Sequence, residues 1–261
     1  MPSSSRARAL RVFITGASSG IGEALARHYA AQGAALGLVA RRGAELARLA
    51  AELGAATEPY ACDVRDASTL RAAASDFVAR CGTPDIVIAN AGISRGTLTQ
   101  EPADAEAFEE IVAVNLTGMM NTFQPFVSAM VAAGHGKLAG IASVAGYRGL
   151  PGAAAYSASK AAAIAYLEAL RVELKPRGVR VITICPGYIA TPMTAANPYP
   201  MPFLLSASAA AIKIGRIIER GATYSVIPWQ MAIFARFLRV VPNWLFDRVL
   251  MNAPRKPRRA D

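Results

Sequence analysis

Only three cysteines and two histidines occur among 261 residues. Cys62, Cys81 and Cys185 are odd in number, form no C-x-x-C pair and have no neighbouring histidine, which excludes a disulfide scaffold and a zinc module. His28 and His135 stand in no metal-ligand spacing with a carboxylate or thiol, so no metal is expected. Aromatics are scarce at 7%, and the abundance of alanine suits close-packed helices better than a β-sandwich. The opening MPSSSRARALRVFITG holds no apolar stretch long enough for a signal peptide. The longest apolar run, 227–251, is broken by Arg236, Arg239, Pro242, Asp247 and Arg248. It falls short of the roughly 20 nearly charge-free residues that a membrane span needs. Free thiols and the lack of a leader together point to the cytoplasm. What is present in quantity is apolar: 53% of the chain is hydrophobic and 18% charged, which excludes global disorder.

A formal charge of +10 raises the question of nucleic acid or an anionic membrane. The excess sits at the ends. Residues 1–12 carry Arg6, Arg8 and Arg11 with no acid, a net +3. Residues 228–261 carry Arg236, Arg239, Arg248, Arg255, Lys256, Arg258 and Arg259 against Asp247 and Asp261, a net +5. A near-neutral body with basic ends lacks the contiguous basic face, interleaved with stacking aromatics, of a nucleic-acid groove, and no nucleic-acid partner is expected.

Short apolar runs at 10–15, 35–40, 57–61, 85–89, 137–142, 179–184 and 223–227 alternate with helical-period segments at 20–32, 43–53, 67–81, 104–133, 154–176 and 206–219. That alternation predicts repeated βαβ units and a parallel sheet of seven strands, covered by helices on both faces because the runs are Val, Ile and Leu with little polar alternation. There is no internal repeat and no low-complexity linker. The expected organisation is a single domain over 1–228, with a substrate loop at 192–220 and an apolar helical extension with a basic tail at 229–261.

TGASSGIG follows the first run and opens the first helix. Gly16 permits a tight turn, Gly20 lets the backbone approach a pyrophosphate, and Gly22 allows close packing of helix on strand. Ser18, Ser19 and Ile21 complete the candidate phosphate cradle at the positive end of the helix dipole. The second run ends LVARRGAEL: Ala40 supplies no carboxylate to hold ribose hydroxyls, while Arg41 and Arg42 offer fork-shaped donors for a 2′-phosphate. NADP(H) is therefore the expected cofactor. Asp63, after the third run, can accept from an adenine amino group or simply shape a turn.

From TGASSGIG onward the sequence resembles the short-chain dehydrogenase/reductase family. The resemblance rests also on Asn90-Ala91-Gly92, Asn115 in VNLTGMM, Ser143, Tyr156-Ser-Ala-Ser-Lys160 and Pro186-Gly-Tyr-Ile-Ala-Thr191. It implies a three-layer α/β Rossmann fold with strand order 3-2-1-4-5-6-7. It also implies an enzyme that moves hydride between a nicotinamide and a carbonyl or secondary alcohol. Such chemistry needs one proton handled at the substrate oxygen, because an alkoxide is too basic to leave free. Tyr156 can do this if its pKa falls from about 10, and Lys160, four residues on along the same helix face, supplies a positive charge that favours the phenolate. By resemblance, Ser143 orients the substrate oxygen and Asn115 holds a water linking Lys160 to solvent. Val64, Asn90, Ala91 and Gly92 wall the adenosine side, and Pro186, Gly187, Ile189 and Thr191 clasp the nicotinamide amide. A homodimer or homotetramer is implied in the same way, through the long helices before and including Tyr156.

Beyond Thr191, Tyr199, Met201, Pro202, Phe203, Leu204 and Leu205 make the substrate loop apolar, which favours a lipophilic ketone or aldehyde unless the loop merely packs on the helices beneath. In the segment 229–250, Pro242 suits the first turn of a second helix, so two short helices are expected. They serve either as a peripheral anchor on the inner face of a membrane or, as the preferred reading, as a subunit contact or pocket cover. Alternative functions are a membrane-associated or acyl-carrier-linked 3-ketoacyl or lipid ketoreductase, and an NADP(H)-sensing regulator without turnover.

Overall fold

The computed structural model describes residues 8–258; Arg6, Arg259 and Asp261 of the charged ends lie outside them. In chain order the first half runs β1 (Arg11–Thr15), α1 (Gly20–Ala30), β2 (Ala35–Ala40), α2 (Gly43–Leu53), β3 (Thr57–Ala61), α3 (Ala67–Cys81) and β4 (Ile86–Ala89). The second half runs α4 (Ala105–Val112), α5 (Gly118–Ala133), β5 (Gly136–Ile141), α6 (Ala154–Leu174) and β6 (Val179–Pro186). It ends with β7 (Ile189–Ala190), α7 (Pro192–Ala195), β8 (Leu205–Ser206), α8 (Ala207–Arg220), β9 (Tyr224–Ile227), α9 (Trp229–Val240) and α10 (Asn243–Leu250). Seven strands pair in the order β3-β2-β1-β4-β5-β6-β9, all parallel.

Alternate residues of each strand point to opposite faces, and both faces are dry. Ile14, Leu36, Leu38, Ile88 and Ile182 pack under α1 and α8 with Leu25, Tyr29, Ile214 and Ile218. Phe13, Val39, Val87, Leu138 and Val181 pack under α3, α5 and α6 with Phe77, Phe123, Phe126 and Leu167. Each such large side chain, fully buried, contributes about 1.5–3 kcal/mol of transfer free energy, which is why the strands carry no alternating polar face. Helix starts are fixed locally: the Asp66 carboxylate accepts from the Ser68 and Thr69 amides at 2.9 and 3.1 Å to begin α3.

The chain winds outward from β1 to β3 on one side and from β4 to β9 on the other. The strand order therefore reverses between β1 and β4, leaving a crevice at their carboxyl ends, where open α/β sheets bind ligands.

The predicted strands and most helices agree with the structure to within two residues. The segment 104–133 does not form one helix. Residues Ala113–Thr117 open into a π turn between α4 and α5. Asn115, fully buried, sits in that turn, and its side chain accepts from the Ile93 amide at 2.8 Å and donates to the Ile93 carbonyl at 3.0 Å. A buried amide must find partners, and the wider turn brings this one to the loop after β4. Helix α7 and strand β8 also lie within the predicted substrate loop at 192–220, with β7, the pairing partner of β8, just before it.

Candidate active site

The cleft at the strand-order reversal has a volume of about 510 Å³ and runs from the glycine turn to the N-terminal part of α6. At one end the chain turns between β1 and α1 with Gly16 at φ 69° and Gly20 at φ 60°, backbone that a side chain would strain. Gly22 is set one layer back. A Cβ there would collide with the Gly16 carbonyl oxygen, so this glycine lets α1 press onto the turn rather than lining the cleft. The Asn90 amide pins the same turn to β4, donating to the carbonyls of Thr15 at 3.0 Å and Gly16 at 3.2 Å.

The two arginines after β2 both line the cleft, with unequal freedom. Arg42 donates to the Ser18 hydroxyl at 2.9 Å and so leans over the glycine turn. Arg41 lies 3.9 Å from Asp63 and 3.6 Å from Glu110. Ala40 indeed offers no carboxylate, but two acids reach in from elsewhere. Asp63, which lines the cleft, is also held by Arg65, whose side chain donates to it at 2.8 and 3.0 Å; burial pushes its pKa up, and that arginine outweighs the rise and keeps the carboxyl below its ordinary value. Glu110, which the sequence reading did not single out, also pairs with Arg95 at 2.5 Å and Arg65 at 3.7 Å.

At the other end Ser143, Tyr156 and Lys160 come together on the cleft wall. Ser143 opens a 3-10 turn over Val144–Gly146, its hydroxyl accepting from the Ala145 amide at 3.1 Å. Gly146 makes the convergence possible: a Cβ there would stand 2.8 Å from the Lys160 backbone, so only glycine lets this turn lie against α6. Lys160 is almost fully buried, donates to the Ile141 carbonyl at 2.8 Å, and has its ammonium 5.9 Å from the centre of the Tyr156 ring. Burial holds that ammonium down at a pKa of about 8.

The expected fall in the Tyr156 pKa is not what the protein groups alone produce. Burial raises it, and the Ser143 side chain partly opposes the rise. The Lys160 ammonium, hydrogen-bonded to the Ile141 carbonyl, does not by itself offset that rise. The Asn115 side chain is engaged by Ile93 and by the Ser159 hydroxyl, to which it donates at 3.0 Å. It therefore braces the floor beneath Lys160.

Of the remaining expected contacts, Ser18, Ser19, Ile21, Val64, Asn90, Ala91, Gly92, Pro186, Gly187, Ile189 and Thr191 all line the cleft. The apolar run Tyr199–Leu205 does not. Phe203 and Leu204 face solvent, while Pro192, Met193 and Thr194 of the turn before them form the wall. A hydrophobic run shows that apolar surface exists; which way it faces is set by β7 and β8, which the sequence did not reveal.

The basic tail docks beside the cleft. Lys256 donates to the Ser94 hydroxyl at 3.0 Å and the Met193 carbonyl at 3.3 Å, joining two residues on opposite lips of the cleft. The Gly96 amide donates to the Pro257 carbonyl at 2.9 Å, and Arg258 pairs with Asp104 at 2.9 Å and Glu101 at 3.4 Å. Part of the extension thus covers the cleft mouth.

The family model described as short chain dehydrogenase matches residues 11–200. An uncharacterized oxidoreductase of Myxococcus xanthus is 41% identical over 239 residues, covering 90% of this chain and 93% of that protein. The granaticin polyketide synthase putative ketoacyl reductase 1 of Streptomyces violaceoruber is 40% identical over 185 residues, covering 69% of this chain and 68% of that one. Among solved structures, a 3-ketoacyl-(acyl-carrier-protein) reductase from Brucella melitensis complexed with NADH superposes with a TM-score of 0.75 at 29% identity, covering 83% of this chain and 94% of that chain.

Proposed function

The chain belongs to the short-chain dehydrogenase family and is an oxidoreductase of the kind that works with a nicotinamide cofactor; on that footing we propose that it is an NADPH-dependent reductase of a ketone or aldehyde. The observation that carries the proposal is the meeting of Ser143, Tyr156 and Lys160 in one cleft with a glycine turn and an arginine at its far end. A dinucleotide fits the residues present. The Gly16–Gly20 turn leaves backbone amides free of side-chain cover, and the Arg42 guanidinium over Ser18 gives a 2′-phosphate a bidentate partner. Bound there, the cofactor supplies or accepts hydride.

The protein's own part is the proton. Ser143 donates a hydrogen bond to the carbonyl oxygen, and the Tyr156 hydroxyl gives up its proton to the same oxygen as negative charge builds there. Lys160 lowers the cost of the phenolate left behind. Asn115 and Gly92 keep the floor in place: a Cβ on Gly92 would lie 3.2 Å from the Asn115 Oδ1 and 3.6 Å from the Lys160 ammonium. Retention of all these groups favours turnover over mere sensing of NADP(H). The substrate proposed is lipophilic, because Ile93, Val114, Pro192 and Met193 contribute apolar wall. A homodimer or homotetramer through α5 and α6 is consistent with the exposed Met120 and Val172 on those helices.

The cofactor reading makes unequal demands on the two arginines. Arg42→Ala is expected to weaken NADPH binding about ten- to a hundredfold, the loss of one charged hydrogen bond of about 1.5–3 kcal/mol, with NADH hardly affected. Arg41→Ala loses less, since Asp63 and Glu110 already share that charge. Fluorescence titration with both cofactors measures this; equal affinities that neither change alters would overturn the NADPH preference.

A second reading is favoured by the docked tail. Lys256 at the cleft mouth, with Arg255 packed on Gly152, gives an acyl-carrier phosphate or acidic carrier surface something to meet. If the substrate is a carrier-bound 3-ketoacyl group, Lys256→Ala lowers kcat/KM for it about tenfold while a small neutral ketone falls much less. Assays with acetoacetyl thioester, free and carrier-bound, decide between the readings.

A further inference from the structure

We propose that α9 and α10 seat this protein on an anionic lipid surface, lying along it without crossing it. At 3.6 residues per turn, Trp229, Ile233, Phe237 and Val240 fall on one side of α9, and Met231 and Ala235 on the other. The inner side is buried, Met231 packing where a Cβ on Gly187 would stand 2.6 Å from it. The outer side is bare: Trp229 is 67% exposed, Phe237 60% and Val240 76%. A helix apolar on both sides belongs in a core or against a non-aqueous neighbour. On α10, Trp244 at 70% and Val249 at 65% are also uncovered.

This exposure is held in place. Arg148 donates to the carbonyls of Leu238 and Val241 at 2.6 and 2.5 Å, closing the C-terminal end of α9, and to the Asn243 side chain at 2.8 Å. Its guanidinium rests 3.8 Å from the centre of the Phe246 ring, so one residue fixes the joint between the two helices.

The charges around the bare face select the occupant. Arg236 and Arg239 border it on α9, Arg248 lies beside Trp244 on α10, and all three are exposed. Asp247 is the one acid in either helix. A second copy docked face to face would bring arginines against arginines, whereas phosphate headgroups meet them with opposite charge. Two exposed tryptophans, Trp229 and Trp244, suit the headgroup boundary, with an apolar body and a ring N–H. Among the described residues no helix is long and apolar enough to cross a membrane, so the helices lie in the interface.

The test is vesicle flotation of the full chain, independent of any activity. Binding to vesicles of equal phosphatidylcholine and phosphatidylglycerol is expected to exceed binding to phosphatidylcholine alone about tenfold, and to fall at about 0.5 M salt. Phe237→Asp with Trp244→Asp should abolish flotation, and Arg236→Glu with Arg239→Glu should remove the preference for the anionic vesicles. Circular dichroism and an unchanged melting temperature certify that the variants fold. Negligible flotation of the folded wild-type chain, or equal flotation on both vesicles, overturns the proposal. So does a dimer in analytical ultracentrifugation that Phe237→Asp dissociates while no vesicle binds.

Discussion

Tyr156→Phe is expected to cut carbonyl reduction by about 10²–10⁴ at pH 7, the range that a positioned proton donor supplies, while leaving NADPH affinity within about twofold. The split follows from where the hydroxyl sits. Ser143 and the Tyr156 phenol face the reacting end of the cleft, and the groups that would grip the dinucleotide, Arg42 and the Gly16–Gly20 turn, lie at the opposite end. Burial raises the phenol's pKa, which keeps the proton on it until the substrate oxygen becomes basic enough to take it. Phenylalanine keeps the ring and its packing on α6, so loss of fold is not the expected cause of inactivity. Single-turnover reduction alongside a fluorescence titration separates the two effects. Turnover within tenfold of wild type would remove Tyr156 as the donor; turnover and binding lost together would point to a structural role.

Strand and helix placement was legible because each βαβ unit carries its own local signals: an apolar run of strand length, a polar or glycine turn, an amphipathic segment. The seven sheet strands follow those signals within two residues. The site was legible where its groups are close in sequence, as with the glycine turn and the Tyr156–Lys160 pair. It was not legible where partners are distant. Glu110 meets Arg41, Arg65 and Arg95 only because the fold brings α4 within reach of the segments that follow β2, β3 and β4. Lys256 reaches Ser94 across 162 positions, and Arg258 reaches Glu101 across 157, so the place where a basic tail docks does not show until the fold brings acids and hydroxyls to it. The π turn at Ala113–Thr117 left one trace, a lone asparagine among apolar residues. That trace called for partners without saying that the helix would widen to find them.

Lys160→Met should separate two consequences of one buried ammonium that have opposite signs with pH. The group's pKa falls from its ordinary 10.5 to about 8 because burial penalises the charge, with only the neutral Ile141 carbonyl as hydrogen-bond partner. Below about pH 8 the lysine is protonated folded and unfolded, and the burial penalty is fully present. Between about 8 and 10.5 the folded state has shed the proton and the unfolded state has kept it, so unfolding takes up a proton and stability rises with pH through that window. Catalysis runs the other way: a neutral amine no longer favours the phenolate, so kcat/KM for NADPH falls as pH climbs past about 8. In the wild-type protein the urea midpoint, relative to the methionine variant, should therefore increase from pH 7.5 to 9.5 while activity declines. The methionine variant should lose about 10²-fold in turnover at pH 7 and lack that alkaline limb. Taking the difference between the two proteins removes the titration of Cys62, whose thiol burial has pushed up to about 11. An alkaline limb that persists unchanged in the methionine variant would assign it to another group and leave Lys160 a purely structural residue of α6.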